Sequence, residues 1–214
     1  AVAIVDPELM YSMPKGLTAA TGMDALTHAI ESYITPGAWV MSDMFELKAI
    51  EMIAQNLKAA VDNGKDVAAR EAMSQAQYIA GMGFSNVGLG IVHSMAHPLG
   101  AFYDTPHGVA NALLLPYVME YNAESPAAPK YIHIAKAMGV DTTGMSEAEG
   151  VKAAVEAVKA LSASINIPQK LHEINVKEED IPALAVAAFN DVCTGGNPRP
   201  TSVADIEALY RKAF

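Results

Sequence analysis

The 214 residues include one cysteine, Cys193, so no disulfide can form within the chain and a reducing compartment is expected. Aromatic side chains are also scarce, with five Phe and one Trp; Ala and Met are plentiful instead. Positive charge is in short supply. Fourteen Lys and Arg against 24 Asp and Glu leave a net charge of −10, which argues against nucleic acid or an anionic membrane surface as a partner. No uninterrupted apolar run reaches the roughly 18 residues a membrane span needs, and no signal-peptide pattern opens the chain. A soluble, cytoplasmic protein with no membrane partner is the expectation.

Strand-forming sequence is nearly absent. Ala1 to Asp6, AVAIVD, is the one strand-like run, and a lone strand cannot make a sheet. Residues 1–6 are therefore expected to be the last strand of a domain outside this chain, or to pair with another chain. A homodimer through that segment is the corresponding expectation. Residues 7–214 read as one all-α domain, because helical periodicity runs nearly throughout. The first helical region follows Met13-Pro14-Lys15-Gly16 and fades at Thr35-Pro36-Gly37. A second is expected from an N-cap at Ser42 to Asn63-Gly64, with Glu46 and Glu51 on its early turns; a third opens at Asp66. Further helices are expected at about 130–138, 146–164, 178–192 and 202–213, the last opened by a capping box of Ser202 and Asp205.

The end of the third helix is glycine-rich, GMGFSNVGLG over residues 81–90. The spacing of Gly81, Gly83, Gly88 and Gly90 matches neither the dinucleotide nor the Walker pattern, and no strand precedes it. Phosphate binding is excluded there. A tight helix junction lining a pocket, with Phe84 in its wall, fits better.

Histidine is concentrated where its chemistry can count. His93, His97 and His107 fall within 15 residues of otherwise apolar sequence. His93 and His97 are four apart and share a helix face, on which Pro98 should end or kink the helix. His107 follows Thr105-Pro106, which read as an N-cap and a first-turn proline, so it sits at the mouth of the next helix. Each buried imidazole needs a partner or a ligand.

Thr21 to Tyr33, TGMDALTHAIESY, adds Asp24 and His28, again four apart and flanked by Met23, Leu26, Ala29 and Ile30. Both side chains point with the apolar stripe toward the core. An unpaired buried carboxylate needs a cation, and no Arg or Lys lies between Lys15 and Lys48. One carboxylate and three imidazoles suit zinc or iron(II), not calcium or magnesium, which want oxygen ligands. The blander reading, in which Asp24 caps a helix and His28 packs, stays open at this point. His133 and His172 lie among charged residues and read as surface side chains. Cys193 opens the turn CTGGNPRP, which reads either as closing over a pocket or as holding a plain buried thiol.

Three strings, PKGLTAATGMDALTHAIESYIT, GMGFSNVGLGIVHSMAHPLGAFYDTPHGVANALLLP and NDVCTGGNPR, resemble the metal-binding C-terminal half of the iron-containing (group III) alcohol dehydrogenases. The resemblance covers essentially the whole chain. It implies the helical-bundle C-terminal domain of the dehydroquinate synthase-like fold, with Asp24, His28, His93 and His107 as ligands of a catalytic Fe(II), or of Zn in some relatives. It places His97 beside the nicotinamide and substrate as a proton relay, with a fifth-ligand role as the alternative. Phe84 and Cys193 would line the substrate pocket.

The implied reaction is NAD-linked hydride transfer between a small primary alcohol or diol, of the lactaldehyde/1,2-propanediol kind, and its aldehyde. The family's NAD-binding domain, with its Gly-Gly-Gly-Ser segment, is not found in these residues. NAD is therefore expected to bind only in the full-length enzyme, and the chain alone is expected to be inactive. Two other readings compete. One is a metal-dependent helical hydrolase, for which Glu31 and Asp104 are the only extra acids near the ligands. The other is a helical interaction module without chemistry.

Overall fold

The computed structural model describes residues 2–214, and all regular structure among them is helical. Within this chain Val2 to Asp6 have no regular structure and are exposed, while Ala1 lies outside the described residues. A strand without a partner leaves its backbone polar groups unpaired, so nothing holds it extended. In chain order the helices are α1 (Lys15–Ile34), α2 (Val40–Asp62), α3 (Val67–Val87), α4 (Ile91–Tyr103), α5 (His107–Asn122), α6 (Tyr131–Ala137), α7 (Glu147–Ser164), α8 (Ile181–Phe189) and α9 (Val203–Ala213). Short 3-10 turns at Pro7–Met10, Leu171–Ile174 and Val192–Gly196 were not legible as helical. Among the described residues no helix is long and apolar enough to cross a membrane.

α1 lies at the centre, packed against α2, α3 and α5. Its Met23, Leu26 and Ile30 meet a core that includes Ile50, Ile53 and Leu57 of α2 and Leu113 to Leu115 of α5. Burying each such side chain contributes roughly 1.5–3 kcal/mol. α5 is buried around nearly its whole circumference from Ala110 to Pro116, as expected of a helix apolar on all sides. α4 is covered by α5 and α8, and α9 closes over α8.

Several boundaries differ from expectation for local reasons. α2 begins at Val40, so Ser42 is not the N-cap; it sits in the first turn and accepts from the Trp39 backbone N–H at 2.9 Å. α8 is shorter than 178–192, because Asp191 caps the following 3-10 turn through the Cys193 N–H. α4 runs past Pro98 to Tyr103 and stops where Asp104 turns left-handed (φ 54°). Next to the proline, Tyr210 of α9 donates to the Met95 carbonyl (2.5 Å). Pro106, not Thr105, takes the capping place of α5, which leaves His107 as its first residue.

Two features set the position of α1. Arg70 of α3 is buried and donates to the Thr18 hydroxyl (2.7 Å) and to the Met13 and Gly64 carbonyls (both 3.0 Å), tying the entry of α1 to the α2–α3 loop. At the other contact, Gly108 lies so close to the Ala20 backbone that a Cβ would overlap it. That approach brings the start of α5, and His107 with it, against the middle of α1.

Candidate metal centre

Asp24 and His28 project from one face of α1, one turn apart. His93 enters from the first turn of α4, and His107 from the first residue of α5. Asp24, His28 and His93 each bring one donor atom to within 4.8 Å of the other two, the only such trio of His, Cys, Asp or Glu among the described residues. His107 stands slightly outside it. Its Nε2 lies 3.5 Å from Asp24 Oδ1, and its ring centroid 5.4 Å from that of His93. The His28 and His93 rings are 4.5 Å apart.

His93 is 2% exposed. Its Nδ1 is 2.6 Å from Glu31 Oε2, whereas its Nε2 faces Asp24 Oδ1 at 3.8 Å and has no hydrogen-bond partner. A buried nitrogen left without a partner costs about 1–3 kcal/mol unless something binds it. Burial, reinforced by the neighbouring His93, lowers the His28 pKa to about 4, and burial also lowers that of His107. Both rings are thus neutral near pH 7, the form a metal requires. The Asp24 carboxylate finds no cation among the side chains. Its close partner is the Asn111 amide, whose Nδ2 is 2.6 Å from Oδ1 and 3.0 Å from His107 Nε2. Arg70 lines one cavity together with Asp24, but its hydrogen bonds go elsewhere. The donor set and the orphaned Nε2 fit one divalent transition-metal ion.

His97 lies one turn beyond His93 on α4 and is the more exposed of the two, with its ring stacked 5.4 Å from that of His107. Its Nδ1 is 2.7 Å from Asp191 Oδ2. Asp191 also accepts from the Cys193 N–H (2.9 Å). The Cys193 thiol is pushed up to about 12, first by burial and then by Asp191, so it stays protonated. Phe84 stacks on His28 (4.5 Å, 19°) and, with Asp24, His28, Thr18, Met13 and Arg70, lines a cavity of about 470 Å³. Cys193 does not border that cavity; it stands on the His97 side of the cluster. His133 and His172 are exposed, as read from their surroundings.

Sequence reasoning left Asp191 and Asn111 unmarked and gave Glu31 no role beyond being a nearby acid. Asn111 carried a usable signal, since it lies four residues past His107 on the same helix face. Asp191 and Glu31 reach their histidines from 94 and 62 residues away, which no local pattern reveals. Asp104 ends α4 and is exposed, and among the described residues no second group of His, Cys, Asp or Glu comes within metal-ligand reach of one another.

Residues 18–214 match the family model described as Fe-containing alcohol dehydrogenase family, C-terminal. The chain is 59% identical over 213 residues to lactaldehyde reductase of Escherichia coli, covering 100% of this chain and 55% of that protein. It is 46% identical over 213 residues to the NAD-dependent methanol dehydrogenase of Bacillus methanolicus, covering 100% and 56%. The crystal structure of a 1,3-propanediol oxidoreductase superposes with a TM-score of 0.96 at 47% identity, covering 98% of this chain and 55% of that one. The chain thus spans about half the length of the curated relatives it matches.

Proposed function

Because this chain belongs to the Fe-containing alcohol dehydrogenase family, as its C-terminal region, we propose that Asp24, His28, His93 and His107 hold one divalent metal, Fe(II) or Zn, in a protein that interconverts a small primary alcohol or diol with its aldehyde. NAD is the hydride partner, bound by an N-terminal dinucleotide-binding domain of the intact protein. Substrates of the lactaldehyde/1,2-propanediol kind fit the likeness to the E. coli reductase best. The single observation that carries the metal reading is the buried, unpartnered Nε2 of His93, aimed at Asp24 and near His28.

A divalent ion held by these donors supplies Lewis acidity, lowering the pKa of an alcohol oxygen and polarising a carbonyl one. The chain's own residues do the rest. Phe84, stacked on His28, walls the metal centre with apolar surface and limits water. Asp191 fixes His97 through Nδ1, so the other ring nitrogen is free to take the alcohol proton and pass it to solvent, to which His97 is open.

The test is zinc titration of the purified chain, followed by elemental analysis. One equivalent bound, with uptake lost in Asp24→Ala, supports the reading. A folded chain that takes up no zinc, or takes up two, sinks it. Alcohol oxidation is assayed with the intact protein and NAD.

A further inference from the structure

Glu31 is 2% exposed, lies on α1 and reaches the N-terminus of α4. The residue preceding that helix is Gly90, which has no side chain to cap it. Glu31 serves instead. Its Oε1 accepts the Val92 N–H at 2.7 Å, and its Oε2 lies 2.6 Å from His93 Nδ1 and 3.4 Å from the His93 N–H. A negative group at a helix start is favoured by the unpaired N–H groups and the helix dipole. A Cβ at position 90 would sit 2.8 Å from Glu31 Oε1, so the missing side chain makes room for the cap.

We infer that Glu31 is a positioning residue of the metal centre: by accepting the Nδ1 proton of His93 it holds that ring in the one tautomer whose Nε2 lone pair faces Asp24 and His28. The inference rests on the reading that His93 is a ligand, and it adds a residue that never touches the metal. A carboxylate is the one side chain of this length that accepts from both partners at once. An amide in its place has a single acceptor. If its oxygen faces Val92, its NH2 group faces Nδ1 and drives the ring proton onto Nε2, where it blocks coordination. If its oxygen faces Nδ1, its NH2 group opposes the Val92 N–H. Both arrangements leave one job undone.

The experiment has two arms on the chain itself. In the first, zinc affinity is measured by competition with a chromophoric chelator for the wild-type chain and for Glu31→Gln, with circular dichroism as the folding control. Orienting groups of this kind typically set metal affinity by 10–100-fold, so a loss of at least about tenfold in a folded variant is expected. Affinity within about twofold of wild type overturns the inference. In the second arm, long-range ¹H–¹⁵N spectra of the metal-free wild-type chain at pH 8 locate the His93 ring proton. Nδ1 protonated and Nε2 bare is expected; any proton on Nε2 overturns the inference, whether or not the variant folds. A wild-type chain that binds no zinc at all sinks the metal reading separately, and the second arm still decides the role of Glu31.

Discussion

His97 and Asp191 lie 94 residues apart in sequence and meet at 2.7 Å through Nδ1 and Oδ2. The contact gives His97 a fixed orientation beside the cluster of Asp24, His28 and His93 without making it a member of that trio. His97→Ala should therefore leave metal stoichiometry at one per chain. In the intact protein the same substitution should lower kcat by roughly 10²-fold or more, the usual contribution of a placed general base. Elemental analysis paired with steady-state kinetics decides it. Metal loss in the variant would move His97 into the ligand set.

The lowered pKa of His28 has a directional consequence. Its folded-state pKa, about 4, lies below the ordinary value of 6.5, chiefly because burial disfavours the charged ring. Between those two values the unfolded chain binds a proton that the folded chain does not. The His28 contribution to the stability of the metal-free protein should thus be lost as pH falls from about 6.5 to 4, read as the difference between wild type and His28→Asn, in which that contribution is absent. Denaturant melts at pH 7, 6 and 5 read the slope. A His28 ring signal that titrates near 6.5 by NMR would show that burial does not govern this group.

Much of the architecture was legible because helical periodicity survives in the sequence. α3 opens at Asp66, α7 at Ser146 and α9 at Ser202, each capped through its own side chain. The candidate donors came together in the sequence for a related reason, since Asp24 and His28 sit one turn apart among apolar neighbours. What escaped notice depends on tertiary approach. Glu31 reads as one acid near the end of a helix, yet it caps a different helix. Glu46, placed by the sequence on the early turns of α2 with no statement of its surroundings, is buried. Charge type forecasts exposure only where no other helix comes to lie on top, and α3 lies on Glu46 at Gly83.

That burial makes Glu46 a second pH-dependent group, opposite in sign to His28. Neither carboxyl oxygen has a hydrogen-bond partner; the hydroxyl of nearby Ser32 donates to the His28 carbonyl at 2.5 Å instead. Burial is the main reason its pKa rises to about 8, with Asp43 adding to the rise and Ser32 opposing it. The neutral form is thus favoured in the folded state. The Glu46 contribution to stability is full below about 4.5 and is lost as pH rises through about 8, by ~5 kcal/mol for a rise of this size. For a chain of this length that corresponds to a fall in Tm of roughly 10–20 °C. Glu46→Gln should remove the slope. Melting curves at pH 5 and pH 8.5 for both proteins settle the point, and a wild-type Tm that does not fall between them counts against the burial argument.

The approach of α5 to α1 offers a test of how the fold builds the metal centre. At Gly108 an added methyl would overlap the backbone of Ala20, and backbone cannot rotate away as a side chain can. Gly108→Ala must therefore push the start of α5 outward, at a cost of roughly 1–3 kcal/mol or more. The adjacent residue is His107, whose Nε2 now stands 3.5 Å from Asp24 Oδ1. Moving it away should weaken zinc binding by at least about tenfold, while Asp24, His28 and His93 keep their places on α1 and α4. As a control, a Cβ at Gly16 would project into open space, so Gly16→Ala should change neither stability nor affinity appreciably. Chemical denaturation and chelator competition on the two variants separate the outcomes. If Gly108→Ala loses stability yet binds zinc as tightly as wild type, His107 contributes little to the metal centre, and the trio of Asp24, His28 and His93 is the functional set.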